Sequence, residues 1–266
     1  GDGDRVGLVT NKGEVVFPDK ILMMISQDIL QNKNGSIIFD VKCSNALPKL
    51  IKELNGTPIM SPTGHFHIKN GIKKYNPLLA GEMSGHIFFN DKWYGFDDGH
   101  YSGARIIEML SKNEKSIAEI CNELPMLFST PELNINVTDD SKFKIIKEFA
   151  DNCRLEGEKN TIDGLRLDFE DGWGLIRASN TTPKLVLRFE GRSEEILNRI
   201  QNDLILFNQK MCYYKFNLYQ KNYNWNGSRA CKKKNLISPQ WIRDVKPKKY
   251  PKWRLDAYFS KHKYSN

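Results

Sequence analysis

The stretch that most restricts the fold is SIIFDV, residues 36–41, set between two segments of helical period. It holds a single charge and β-branched residues at Ile37, Ile38 and Val41. It lacks the polar alternation of a half-exposed strand, so it reads as a strand covered on both faces. Upstream, PDKILMMISQDILQN carries Pro18 in a first turn and places Ile21, Ile25 and Ile29 on one helical face. Downstream, NALPKLIKELNG reads as a short helix closed by Gly56, TPIMS as a strand and HFHIKNGIKKY as a helix. PLLAGE and HIFFN read as strands, and DDGHYSGARIIEMLSK as a helix with Ala104, Ile107 and Leu110 inward. Strands that alternate with helices build an α/β layer on a mainly parallel sheet. Before all of this, VGLVTNKGEVV reads as a hairpin turning at Asn11-Lys12-Gly13.

After NELPMLFSTPE the rhythm changes, and a domain boundary is predicted near Leu124–Pro131. LNINV is a strand, SKFKIIKEFADNC a helix, DGLRLDF, GWGLIRAS and KLVLRFEG are successive strands, and SEEILNRIQNDLILFNQ is a closing helix. That is an α+β plan. Residues 209–266 show no sustained period. They hold fifteen Lys and Arg against two Asp and Glu, with twelve aromatics interspersed, whereas the rest of the chain holds twenty-five against thirty. The net charge of +8 therefore describes the tail, not the body. Five widely spaced cysteines without a CxxC speak against a disulfide scaffold or a zinc site and for a reducing, cytoplasmic setting. No apolar run approaches the roughly 20 residues of a membrane helix, and no signal-peptide pattern opens the chain.

Five stretches carry chemistry. GDGDR opens the chain with Asp2 and Asp4 alternating with glycines, hard oxygen donors suited to Mg2+ or Ca2+. On spacing alone this is evenly balanced between a solvated acidic turn and half a cation site. An EF-hand is excluded, because Val6 and Gly13 would fill positions that need oxygen ligands. PTGHFHIK can present His65 and backbone N–H groups at a helix start, or be an ordinary start with an exposed histidine. DVKCS ends the buried strand with Lys42, where a lysine either faces a ligand crevice or is a solvated edge residue. AGEMSGH gathers Glu82, Ser84 and His86 around glycines, with groups that accept and donate to sugar hydroxyls. RASNTTPKLVLRFE follows a strand-terminal Arg177 with Ser179, Asn180, Thr181 and Thr182, a guanidinium fork beside hydroxyl, amide and backbone donors that suits a phosphate.

Taken in order, GDGDR, DVKCS, PTGHFHIK, GEMSGH, GFDDGHYSGARIIEMLS and RASNTTPKLVLRFE resemble the α-D-phosphohexomutases, in particular the bacterial phosphomannomutase/phosphoglucomutase branch, over about residues 1–208. The resemblance implies a mixed, mainly parallel three-layer α/β domain followed by a smaller α+β, TBP-like domain. It divides the chain into the end of a metal-loop domain (1–16), a sugar-loop domain (17–124), a phosphate-loop domain (125–208) and the basic tail. Transfer of phosphate between the 1- and 6-positions of a hexose, through a phosphoserine and a bisphosphate intermediate, is implied as the reaction. Asp2 and Asp4 then match metal aspartates for Mg2+, and Arg5 and His86 stand at the reacting centre. Lys42 and His65 match substrate-side residues. Glu82 with Ser84 would hold the sugar's 3- and 4-hydroxyls within the loop that includes Met83 and Gly85. Arg177, Ala178, Ser179, Asn180 and Thr181 would grip the non-reacting phosphate.

The family's TASHNP-like phosphoserine segment is absent from these residues, and its first metal aspartate would precede Gly1. The expectation is therefore a C-terminal part of a mutase, monomeric and not competent alone, with an incomplete Mg2+ site and hexose phosphates as ligands. A non-catalytic sugar-phosphate-binding module is the alternative. PTGHFHIK departs from the family with Pro62 and Phe66 in place of the usual Lys and Ser, and GEMSGH fits the dual glucose/mannose type better than the glucosamine type. The tail has no counterpart in the resemblance. Its composition favours a frameshifted or fused origin over a lineage-specific surface or a nucleic-acid-binding arm.

Overall fold

The structure is a computed structural model that describes residues 2–125 and 127–205. The tail readings, on residues 209–266, lie outside the described residues. The predicted hairpin is present as β1 (Leu8–Val9) and β2 (Val15–Val16), antiparallel, with Gly13 left-handed in the turn at φ 80°. It leads into α1 (Pro18–Leu30), where Pro18 occupies the first turn. Ile21, Ile25 and Ile29 are buried, and Leu22, Met23 and Met24 are buried with them.

SIIFDV supplies β3 (Ser36–Asp40), the strand that organises the first sheet. β4 (Thr57–Ser61) and β5 (Leu79–Gly81) flank it in parallel, and β6 (Ile87–Phe89) closes the β5 edge antiparallel, giving the order β4-β3-β5-β6. Alternate side chains divide between the two faces. Ile37, Phe39, Leu79, Ile87 and Phe89 pack with α1 and with α2 (Ala46–Glu53), whereas Ile38, Ala80 and Phe88 pack with Ile68 and Ile72 of α3 (His65–Tyr75). The result is the three-layer arrangement expected, and it explains why β3 reads as continuously apolar. α2 ends with Asn55 rather than Gly56 in the left-handed region, at φ 59°. Gly56 donates its N–H to the Ile51 carbonyl, and a Cβ there would collide with Leu30 and Ile51.

The inward face assigned to α4 (Gly99–Ser111) is corrected. Ala104 and Ile107 face solvent, Leu110 is half-buried, and the buried residues are Ser102, Arg105 and Ile106. Arg105 forks onto Asp91 at 2.8 and 3.0 Å and lies over the Phe89 ring at 4.4 Å. A neutralised arginine thus belongs to the packed stripe, and a count of apolar residues alone selects the wrong side of the helix. α5 (Ile117–Glu123), which follows and has a Ser116/Glu119 capping box, was not predicted.

The second sheet has the order β7 (Phe128–Ser129), β12 (Lys184–Gly191), β11 (Gly172–Ala178), β10 (Leu165–Asp168), β9 (Glu158–Asn160), with β8 (Leu133–Asn136) also on β12, and every pairing in it is antiparallel. β7 and β9 were not predicted, whereas β10, β11 and β12 follow the expected plan. α6 (Asp139–Asn152) and a helix over residues 194–205 cover one face, the latter pressing Ile200 and Leu204 against Gly174. The opposite face carries Arg166, Trp173, Arg188 and Glu190, all buried against the first sheet and its helices. Arg166 donates to the carbonyls of Val41 and Cys43, and Arg188 to that of Lys42 and to Asp19 at 3.2 Å. Glu190 accepts from Ser44 Oγ at 2.9 Å, the Asn45 amide at 3.1 Å and Trp173 Nε1 at 2.8 Å.

Burial pushes the Glu190 carboxyl above its ordinary 4.5, although Trp173, Ser44 and Arg188 oppose the shift. A raised carboxyl binds its proton more readily in the folded state than in the unfolded one. Its contribution therefore weakens the fold as pH rises from about 4.5 through the folded value. Glu190→Gln keeps an oxygen for all three donors and removes that charge. The variant is expected to unfold within about 1 kcal/mol of the parent near pH 5. Relative to the parent it should gain stability toward neutral pH. Urea midpoints at both pH values check this, and a variant that loses ground as pH rises would contradict it.

Candidate functional site

The turn after β3 is tied down by Asp40, which is fully buried. Its carboxylate accepts from the backbone N–H groups of Lys42 and Met83, both at 3.3 Å, and from Thr63 Oγ1 at 3.2 Å. One side chain at a strand end thus holds three of the candidate loops. Lys42, placed at that end by the parallel sheet, is buried with Nζ 3.3 Å from Glu132 and 3.9 Å from Asp40.

In the GEMSGH loop, Glu82 is almost fully buried at 2% exposure. Its Oε1 accepts from the Gly64 amide at 2.9 Å and its Oε2 from Ser84 Oγ at 2.8 Å. Gly64 sits at φ 127° and Gly85 at φ 96°, and a Cβ on Gly85 would press on the Val6 carbonyl at 3.2 Å. The two glycines let the PTGH and GEMSGH loops close on their neighbours. Met83 is half-buried against the core of the first sheet.

The opening segment joins the same loop. Arg5 pairs with His86 as an isolated antiparallel bridge, and the Val6 amide donates to Gly85 at 3.2 Å. Gly3 is left-handed at φ 76° and accepts from the Gly99 amide at the start of α4. Asp2 is exposed, and a hydrogen bond with Asp4 holds its carboxyl below its ordinary value. Arg5 keeps 58% of its side chain exposed, with Nε 3.6 Å from Asp4.

His86 stacks on His65, with ring centroids 6.1 Å apart. Its Nδ1 lies 3.0 Å from Asp97 and 3.6 Å from Asp4, without an aligned hydrogen bond to either. Asp4, His86 and Asp97 form a cluster of possible metal ligands whose donor atoms lie within 4.8 Å of one another, and Asp2 is outside it. Burial works to raise the Asp97 carboxyl, but the Lys69 ammonium at 2.7 Å and a backbone hydrogen bond together hold it below its ordinary value. Asp2 and Asp4 are hard oxygen donors and fit Mg2+ in kind.

On the second sheet, Arg177 is the penultimate residue of β11; its Nε is 2.9 Å from Asp163 Oδ2, and the same oxygen accepts the Thr63 amide at 2.9 Å. Ala178 and Ser179 are buried, whereas Asn180, Thr181 and Thr182 are exposed. The amides of Thr181 and Thr182, at 3.4 and 3.2 Å, and the Thr182 hydroxyl, at 2.8 Å, converge on Ser179 Oγ. Buried Lys142 holds the far end of this loop through the Thr182 carbonyl at 3.2 Å.

The candidate residues are therefore linked. Lys42, His65, Glu82, Ser84 and His86 surround the C-terminal ends of β3 and β5, and Arg177 reaches them through Asp163. The opening segment joins them through the Arg5 backbone bridge to His86, whereas the exposed Asp2 carboxyl and the solvent-facing Arg5 side chain contact Asp4. Sequence reasoning missed Asp40, Lys69, Asp97, Lys142 and Asp163. The Asp163-Gly164 pair carries a turn signal, but nothing in it names Thr63, a hundred residues away, as a partner.

Residues 17–128 match the family model described as phosphoglucomutase/phosphomannomutase, alpha/beta/alpha domain III, and residues 132–206 match that family's C-terminal domain. The chain is 51% identical over 203 residues to a phosphomannomutase/phosphoglucomutase of Pseudomonas aeruginosa, covering 76% of this chain and 44% of that protein. It is 51% identical over 206 residues to a phosphoglucomutase of Neisseria meningitidis, covering 76% and 45%. A crystal structure of a phosphoglucomutase/phosphomannomutase family protein from Burkholderia thailandensis superposes with a TM-score of 0.72 at 45% identity, covering 78% of this chain and 44% of that one. The chain thus spans less than half the length of these relatives. Among the described residues no helix is long and apolar enough to cross a membrane.

Proposed function

Because this chain belongs to the phosphoglucomutase/phosphomannomutase family, we propose that it carries the sugar-holding and phosphate-gripping part of a phosphohexomutase that interconverts hexose 1- and 6-phosphates. Residues 17–124 then form the sugar-loop domain, 125–208 the phosphate-loop domain and 1–16 the end of a metal-loop domain. One observation carries this reading. A buried carboxylate, Glu82, and a buried guanidinium, Arg177, are tied to the consecutive backbone amides of Gly64 and Thr63, the second through Asp163. A clamp for vicinal hydroxyls and a grip for a phosphate thus stand on one framework, which is what a sugar phosphate needs.

Phosphoryl transfer demands alignment and charge neutralisation more than covalent help from the protein. Glu82 and Ser84 hold the sugar by its 3- and 4-hydroxyls, which are equatorial in both glucose and mannose and can be held with the sugar in either orientation. Arg177, with Ser179, Asn180 and Thr181, fixes the phosphate that is not reacting. His86, beside the opening segment, takes or returns the proton of the reacting hydroxyl, and Arg5 supplies positive charge there. Asp2 and Asp4 are the residues that would hold Mg2+, which when bound neutralises charge on the transferred phosphoryl group.

The family reaction runs through a phosphoserine and a bisphosphate, and no TASHNP-like serine occurs in these 266 residues. The chain alone is therefore expected to bind glucose 1-phosphate in calorimetry yet to show no turnover of mannose 1-phosphate to mannose 6-phosphate in a coupled assay. Sustained turnover would overturn the division of labour, and absence of binding would overturn the reading itself.

A further inference from the structure

We propose that Asp163 is a positioning residue that couples the phosphate grip to the sugar-side loop, an inference that rests on the sugar-phosphate reading above. The Asp163-Gly164 turn connects β9 to β10. Gly164 is left-handed at φ 88°, and a Cβ there would strike the Ile176 carbonyl and lie 2.7 Å from Arg177 Cα. The turn is thereby seated on the end of β11, and Asp163 is aimed past it toward the first sheet. One atom, Oδ2, then accepts two hydrogen bonds of 2.9 Å, one from Arg177 Nε and one from the Thr63 backbone N–H. Both side chains are largely withdrawn from water, with 5% of Arg177 and 14% of Asp163 exposed.

Asp163 takes the Nε atom and leaves the fork of two terminal nitrogens for an anion, the edge that binds phosphate through two parallel bonds. A carboxylate beside an anion grip also repels the anion, so its presence there calls for an offsetting role. The connection through Thr63 supplies one. Thr63 Oγ1 donates to Asp40 at 3.2 Å, and the next amide, Gly64, donates to Glu82 at 2.9 Å. Any movement of Arg177 toward a phosphate is therefore passed by Asp163 to the backbone that orients the sugar-holding carboxylate.

The test follows backbone amide NMR signals of the full 15N-labelled chain as inorganic phosphate is added. In the wild type, the signals of Ser179 to Thr182 are expected to shift, and those of Thr63 and Gly64 to shift with them. In Asp163→Ala and in the near-isosteric Asp163→Asn, the first set should still respond, and the response of Thr63 and Gly64 should fall at least threefold. Amide dispersion matching the wild type in the Asn variant shows that the fold is kept, so that a structural collapse is not mistaken for lost coupling. A wild-type response confined to residues 179–182, or an undiminished Thr63 and Gly64 response in both variants, overturns the coupling alone. No response at residues 179–182 in the wild type overturns the phosphate-binding reading and the coupling with it.

Discussion

Replacing Arg166 by methionine is expected to cost about 3–5 kcal/mol of folding stability, the range for breaking a buried ion pair from one side. Arg166 is 1% exposed and stacks on the Trp173 ring at 3.9 Å. It donates to the carbonyls of Val41 and Cys43 at 2.5 and 3.0 Å, to Asn45 Oδ1 at 2.5 Å and to Asp168 at 3.1 Å. Burial works against its charge and lowers its pKa, with Asp168 and Glu190 opposing. Methionine fills much of the volume but satisfies none of these acceptors. Two backbone carbonyls and the Asn45 side-chain oxygen then lose this donor between the two sheets, and Asp168 keeps its hydrogen bond from Asn45 Nδ2 at 2.8 Å. Lysine can meet one or two of them, so Arg166→Lys should recover less than half of the loss. Urea unfolding followed by far-UV circular dichroism gives the comparison, and a loss below about 1 kcal/mol for the methionine variant would show that the sheets do not depend on this arginine.

Arg177→Ala is expected to weaken glucose 1-phosphate binding about a hundredfold. Hydrogen bonds to charged groups contribute roughly 1.5–3 kcal/mol each, and loss of a forked pair corresponds to about two orders of magnitude in Kd. Without Arg177, Asp163 also faces the phosphate uncompensated, which adds repulsion. Arg177→Lys keeps the charge but loses both the fork and the Nε donor that meets Asp163 at 2.9 Å, so an intermediate loss, about tenfold, is expected. Calorimetry at fixed ionic strength measures both. A loss under threefold for the alanine variant would mean that the phosphate is held elsewhere.

Much of the layout could be read from the residues because the signals are local. β3 announces a doubly covered strand through Ile37, Ile38 and Phe39, and Pro18 and Gly13 fix a helix start and a hairpin turn through backbone geometry alone. The α4 face was misread because Arg105 is packed inward, and its burial depends on Asp91 and Phe89. The short strands β7 and β9 escaped because two- and three-residue strands carry no period; they exist because β12 and β10 offer edges to pair with. For the site, the loops that hold Lys42, Glu82, His86 and Arg177 stood out by composition. Their supports did not, because Asp40, Asp97 and Asp163 act on partners far away in sequence.

The sequence by itself determined the order of the longer strands and helices, the change from an α/β to an α+β rhythm, and the chemical kinds present in each loop. These follow from side-chain period, turn residues and local donor sets, which act over a few residues. Tertiary structure alone decided what covers the polar face of the second sheet. The alternation in LRLD and KLVLRFEG separates charged from apolar residues, but it does not say whether water or protein lies over the charged side. Here protein does, and Arg166, Arg188 and Glu190 become buried only because the Val41, Cys43 and Lys42 carbonyls, Asp19 and the Ser44-Asn45 turn meet them. Burying a charge is costly unless it is paired, and pairing across more than a hundred residues depends on how two sheets dock, which no local pattern encodes.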